Sequence, residues 1–390
     1  MSAVPSPSQP RTLAFDPALA CALVVLAVLG AIMVGSASIT IADKQTHGAE
    51  PLAYLIRHLG ALALGGIAMA VAMSVPTELC YRLNWLLLVA ALALLVIVLV
   101  PGIGHTVNGS RRWILLGPVT LQASEPARLC LLLYLASYSV RRGDALASSL
   151  QGLLKPLLVI GAAAGLLLLE PDFGAAVVLT ATSFGVLFVA GARLRDFLLA
   201  TLAGGAVLGA LAFSSPYRLE RLTKFLDPWA DPYAGGFQLT QSLIAIGRGE
   251  WLGVGLGESV QKLFYLPEAH TDFVFAVLVE ELGFVGASLV IALYAVIVYR
   301  AVMLGRDAIR GGLPFQAFVA TGIGLMLGFE AFVNIGVNAG LLPTKGLALP
   351  LLSYGRSSTI TTMLALGLLF RIYREVHGGQ KRLVQRGYVR

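Results

Sequence analysis

Residues 266–283 read LPEAHTDFVFAVLVEELG, and the chain then stays apolar to about residue 299. A helix over this run is long enough to cross a hydrocarbon core about 30 Å thick. Yet it carries Asp272 at its leading end and Glu280 and Glu281 inside, with Glu268 and His270 just ahead. A carboxylate at the centre of a membrane helix costs about 2.5 to 3.5 kcal/mol, so each such acid must face a bundle interior or a wet cavity and find a partner there. The stretch therefore implies several spanning helices packed around sheltered polar groups.

The rest of the chain agrees. Of 390 residues, 57% are hydrophobic and 13% charged, with a mean hydropathy of +0.82, against roughly 25% charged in soluble domains. The expected fold class is an all-α polytopic membrane protein with about ten spans. These are placed at 18–42, 54–75, 84–101, 119–140, 156–170, 174–191, 197–213, 272–299, 315–337 and 357–373. The acids, proline and glycine of 170–174 read as a tight turn between the fifth and sixth spans. The first apolar stretch is too long for a signal-peptide core and reads as an uncleaved helix. Residues 1–17 are expected to form a cytoplasmic tail, 18–373 a single transmembrane domain, and 374–390 a basic cytoplasmic tail.

With both termini inside, the larger share of the lysines and arginines falls on the cytoplasmic side, as the positive-inside rule requires. The net charge of +7 is thus a topology signal. No soluble basic domain supports a nucleic-acid reading. Three cysteines, Cys21, Cys80 and Cys130, lie in or beside the spans and imply no disulfide framework. No internal repeat supports a repeat-built transporter.

Residues 214–271 form the one long outer segment, and long loops usually carry function. Its start, YRLERLTKFLDPWADPYAGGFQ (217–238), pairs Glu220 with Lys224 at helical spacing beside Leu219, Leu222, Phe225 and Leu226, which suggests a short amphipathic surface helix. The glycines of GRGEWLGVGLGES (247–259) do not fit a G-x-G-x-x-G fingerprint, and no strand is expected before them.

Glu330, Asn334 and Asn338 recur at spacing four along one stripe of the ninth span. The stripe either lines a substrate path or makes interhelical hydrogen bonds. Asp272 stands at a helix N-terminus, where negative charge is stabilised; it is either a functional acid or, with Thr271, a helix cap. Arg111, Arg112, Arg128, Arg248, Lys262, Lys345 and Arg356 fall near outer helix ends. They suit a phosphate-bearing ligand, or else balance the outer acids and lipid headgroups.

At these residues the chain resembles the SEDS family (shape, elongation, division and sporulation), polytopic polymerases of peptidoglycan. The resemblance runs along nearly the whole chain, and it is carried by RRWILLGPVTLQASEPARL (111–129), EPDFGAA (170–176), residues 225–283, and GLLPTKGLALPLLSYGRSS (340–358). LPEAHTDF, PTKG and SVQK are more similar to the cell-division branch than to the elongation branch. Three departures stand out: Ala123 and Arg128 within the usual Q-P-S-E-x-x-K, Glu170 in place of Gln, and Arg356 in place of Gly.

The resemblance implies glycosyl transfer on the outer face, joining a glycan on undecaprenyl diphosphate to the 4-hydroxyl of lipid II. The leaving diphosphate is a stable anion, so the carboxylate pair of glycosidases is not needed. Asp272 matches the family's essential aspartate and is expected to be the general base, with Glu125 as the second acid. Arg111, Arg112, Arg128 and Lys345 are candidates to hold diphosphate, with Ser353 and Ser357 as further substrate-binding candidates. Trp113 is expected to stack on a sugar or anchor its helix. No cofactor is implied beyond a divalent cation such as Mg2+ that the diphosphate itself recruits. Implied partners are membrane lipid, a class B penicillin-binding protein and other divisome proteins at the septum of a bacterial inner membrane. A lipid II flippase and a non-catalytic divisome scaffold remain as alternatives, as does the elongation-type polymerase.

Overall fold

The computed structural model describes residues 15–107, 110–117, 119–213, 225–233, 235–344 and 346–385. A helix covers each of the ten apolar stretches. These are α1 (Pro17–Thr46), α2 (Ala53–Ser74), α4 (Asn84–Leu99), α5 (Ser124–Arg141), α7 (Leu150–Leu169), α8 (Phe173–Val189), α9 (Leu194–Phe213), α11 (Val274–Arg310), α12 (Pro314–Asn338) and α13 (Arg356–Gln385). Short helices α3 (Thr77–Arg82), α6 (Gly143–Ser148) and α10 (Phe237–Gly249) lie between them. Five helices, α1, α2, α7, α11 and α12, are long and apolar enough to cross a membrane, and α4 and α8 are shorter apolar helices. Their side chains form two buried clusters. One joins α1, α11, α12 and α13; the other joins α4, α7 and α8. Helix α5 contributes Leu129 and Leu132 to the first and Leu131 and Leu135 to the second, so it stands between them.

Three features differ from the sequence expectation. The fold is not purely α: β1 (Gly104–Val107), β2 (Ser110–Leu116) and β3 (Val119–Gln122) form an antiparallel sheet in that order. Residues 119–122, read as the start of a span, are therefore a strand. Val119, Thr120, Ile114 and Trp113 are good strand formers, and the polar run through Gln122, Ser124 and Glu125 that separates them from the apolar part of α5 marks a boundary that a span drawn over 119–140 crosses. Second, α13 continues to Gln385, so the expected C-terminal tail is helical over much of its length.

Third, α11 is broken. Gly283 has φ 65° and ψ −165°, which divides it into a buried half-helix, Val274–Leu282, and a long helix beyond. A Cβ on Gly283 would meet Trp251 and Gly253 backbone atoms at 2.5 and 2.4 Å, so only glycine permits both the turn and the approach. Across the break, Phe284 and Val285 N–H groups donate to the carbonyls of Glu250 and Trp251. The loop after α10 is thereby joined to the spanning helix. The amphipathic surface helix expected around Glu220 and Lys224 lies outside the described residues.

An apolar cavity of about 480 Å³ runs beside α8, lined by Thr180, Phe184, Phe188, Phe197, Thr201 and Phe329.

Candidate functional site

Asp272 ends the loop before the half-helix, and its position is fixed through its backbone. The side-chain amides of Asn334 and Asn338 both donate to the Asp272 carbonyl at 3.0 Å. Asn338 Oδ1 also accepts the Ala276 N–H at 3.1 Å, and Asn334 Nδ2 donates to the Leu347 carbonyl at 2.5 Å. The polar stripe of α12 thus ties together three things: the aspartate, the first turn of its helix, and the segment that passes in front of it.

The carboxylate itself is half-buried and free of these bonds. A helix-cap role is not seen, because the half-helix has no side-chain cap and Thr271 turns instead to the Glu268 carboxylate at 2.8 Å. On the far side is Gly346. The point where a Cβ would sit on Gly346 is 2.9 Å from Asp272 Oδ2 and 3.9 Å from Arg112 Nη2. The acid and the guanidinium therefore face one narrow gap that any side chain at 346 would obstruct. Burial raises the Asp272 carboxyl from its ordinary 3.8 to about 7, with Glu268 and Asp172 adding to the rise and Arg112 opposing it. That value is near neutrality, where a general base works best.

Arg112 reaches the gap because of an irregularity in the sheet. Arg111 pairs with Thr106 and Trp113 with His105, leaving Arg112 as an extra residue opposite β1. Such bulges re-aim a side chain. Its guanidinium lies 3.8 Å from Asp172 Oδ2. Asp172 in turn caps α8 through the Ala175 N–H at 3.0 Å and receives Gln122 Nε2 at 3.4 Å. Asp172 was not singled out from sequence, although an acid opening a helix at an outer turn was the available signal.

The other expected site residues are placed differently. Glu125 pairs with Arg128 at 2.7 Å, and the same guanidinium pairs with Glu330 at 2.7 Å, all three buried. The cation that Glu125 positions is thus Arg128, and this closed triad leaves Arg128 no surface for a phosphate. Arg111 donates to the Leu99 carbonyl at the end of α4. Ser357 Oγ accepts the Gln122 N–H and donates to the Thr120 carbonyl, pinning β3 to α13. Ser353 Oγ accepts the Leu349 N–H within its own turn. Both serines are buried and engaged with backbone. Trp113 lies partly buried in β2, and Lys345 lies outside the described residues. Arg356 donates to Thr120 Oγ1 at 3.0 Å.

Glu280 and Glu281 do not line a path. Glu280 accepts Arg248 at 2.7 Å, Ser259 Oγ, and the Val260 N–H. Glu281 accepts Lys262 at 2.9 Å and Ser36 Oγ at 2.7 Å. The pair holds the 258–262 loop against the half-helix. Of the cations named from sequence, Arg128, Arg248 and Lys262 are therefore matched by glutamates, which is the charge-balancing reading. Among the described residues, no group of three or more His, Cys, Asp or Glu side chains is placed to hold a metal ion.

Comparison with known proteins places this geometry in context. Residues 17–378 match the cell cycle protein family of FtsW, RodA and SpoVE. The chain is 54% identical over 351 residues to a probable peptidoglycan glycosyltransferase FtsW of Nitrosococcus halophilus, covering 90% of each chain. To its namesake in Coxiella burnetii it is 52% identical over 357 residues, covering 91% and 95%. Among solved structures it resembles a chain from a peptidoglycan synthase complex that coordinates polymerization and crosslinking, at TM-score 0.76, 33% identity and 94% and 99% coverage. RodA of Thermus thermophilus matches at TM-score 0.67, with 30% identity and the same coverage. With its apolar helices and a match that runs along nearly its whole length, this multi-pass membrane protein belongs to the FtsW/RodA/SpoVE family of cell cycle proteins.

Proposed function

We propose that the protein is a peptidoglycan glycosyltransferase of cell division, polymerising lipid II, with Asp272 as its general base. The observation that supports this best is the half-buried Asp272 carboxylate, held through its own backbone by two asparagines and facing Arg112 across the gap at Gly346. In the step so assigned, Asp272 takes the proton of the acceptor sugar's 4-hydroxyl. That oxygen bonds to C1 of the donor sugar, and the bond from C1 to the diphosphate oxygen breaks with its electron pair going to the lipid diphosphate. No acid must protonate such a leaving group. Arg112 and Lys345 are assigned to its developing charge.

The apolar cavity along α8 gives room for part of a polyprenyl chain. In this reading all ten helices cross the inner membrane, both termini are cytoplasmic, and the 214–271 loop lies outside. The protein acts at the septum with a class B penicillin-binding protein. A divalent cation, if used, arrives with the diphosphate.

The flippase reading draws no support from Glu280, Glu281 and Glu330, because each is consumed by an ion pair. Labelled lipid II supplied to the full-length protein with its transpeptidase partner tests the proposal. Wild type forms polymer, and Asp272→Ala loses about 10²- to 10⁴-fold in rate. Polymer formed by Asp272→Ala at the wild-type rate would refute the assignment.

A further inference from the structure

Glu170 closes α7 at the turn into α8, outside both helices. Its carbonyl accepts Ser110 Oγ from β2. Its side chain is fully enclosed, and neither carboxyl oxygen meets a hydrogen-bond donor. Asp172, two residues on, is fully engaged by Ala175, Gln122 and Arg112. Arg112 is not: its Nε is buried without an acceptor. Two buried groups of complementary chemistry thus stand in one neighbourhood without pairing. An ionised carboxylate without a donor, packed beside a second acid, is far more costly to bury than a neutral carboxylic acid.

We propose that Glu170 is carried as an uncharged acid and acts as a positioning residue for Arg112. While neutral, it leaves the guanidinium poised between Asp172 and the gap at Asp272. Once ionised, it competes for the guanidinium and withdraws it from an anionic substrate. The proposal rests on the polymerase reading only in taking Arg112 to serve that substrate.

The charged neighbours are Asp172 from the same turn and Arg112 from β2, while Ser110 and Gln122 beside them are neutral. Burial first, and then Asp172, carry the Glu170 carboxyl up to about 8 against the pull of Arg112. The neutral form is lost as pH rises through that value, so the expected signature is an alkaline fall in rate. A single ionisation near 8 gives a loss of about fivefold between pH 8 and pH 9.

The test is the pH profile of lipid II polymerisation by the full-length protein with its transpeptidase partner. Glutamine has the shape of the neutral acid and cannot ionise. Glu170→Gln should therefore retain the wild-type rate near pH 7 and lose the alkaline fall. Glu170→Met, which neither ionises nor donates, should also lose it, and serves if the glutamine variant does not fold. As a readout independent of turnover, the infrared difference between wild type and Glu170→Gln should show a buried carboxylic-acid band that vanishes between pH 7 and pH 9, the Asp272 contribution being common to both proteins. An alkaline fall of the same size in both variants, or an acid band unchanged by Glu170→Gln, overturns the proposal. Failure of the base assignment is seen separately, as polymer made by Asp272→Asn, whatever the shape of the alkaline limb.

Discussion

Replacing Asp272 with asparagine should stabilise the protein while silencing it. Burial and the neighbouring acids move this carboxyl from 3.8 to about 7 in the folded state. At 1.36 kcal/mol per unit, the ionised acid lowers folded stability by about 4 kcal/mol relative to an unfolded chain at alkaline pH. The folded protein holds the proton more tightly, so this loss begins near pH 4, grows to about pH 7 and then levels off. Asparagine keeps the shape, and the backbone bonds from Asn334 and Asn338 do not involve the side chain it replaces. Thermal or denaturant unfolding in detergent at pH 8 should show Asp272→Asn more stable by up to about 4 kcal/mol. At pH 4 the gain should nearly vanish, because both side chains are then largely uncharged. A variant no more stable than wild type at pH 8, or one with an equal gain at pH 4, would refute the claim that the site holds its acid against a desolvation cost.

Three further outcomes follow from the same geometry. Polymerisation should rise severalfold between pH 6 and pH 7.5 as Asp272 ionises around its value of about 7, and Glu268→Gln, by removing a like charge, should move that rise to lower pH; a flat profile in wild type would contradict it. Arg128→Met strands Glu125 and Glu330 in the core and should cost about 3 to 5 kcal/mol in an unfolding assay, largely recovered when both glutamates are also changed to glutamine. Gly283→Ala drives a methyl into the Trp251 and Gly253 backbone and should expose the 251–262 loop to protease in membrane vesicles; unchanged cleavage would count against the break as a fixed feature.

What could be read from sequence divides by distance along the chain. Spans announce themselves through contiguous apolar residues, and the helices begin and end within a few residues of the expected positions for α2, α4 and α8. The spacing of Glu330, Asn334 and Asn338 already placed them on one stripe, and hydrogen bonding between helices is what the stripe does. The long-range partners were not legible, because Arg128 meets Glu330, and Ser36 and Lys262 meet Glu281, only through the tertiary fold. For the same reason a row of outer cations looked like a phosphate site although Arg128, Arg248 and Lys262 in it are matched by glutamates. The sheet was lost to hydropathy, which cannot separate a strand from a helix when both are apolar. Asp272 was singled out from sequence as an acid at the head of its helix, but the bulge that brings Arg112 to it depends on strand register and leaves no trace in composition.

The buried triad has a consequence for how the chain enters the bilayer. Arg128 is synthesised long before Glu330, so in the proposed ten-span arrangement α5 is inserted while half of its eventual charge compensation has yet to be made. Glu125, one turn away on the same helix, accompanies the arginine from the start and makes it admissible alone. Glu330, Asn334 and Asn338 emerge last, on a helix whose polar stripe would be unwelcome in lipid. Arg128 of α5, the Asp272 carbonyl and the Ala276 N–H of α11 have all been synthesised before them. The order of synthesis therefore runs from the self-sufficient helix to the dependent one, and reversing it by circular permutation would present the translocon with α12 before any of these partners.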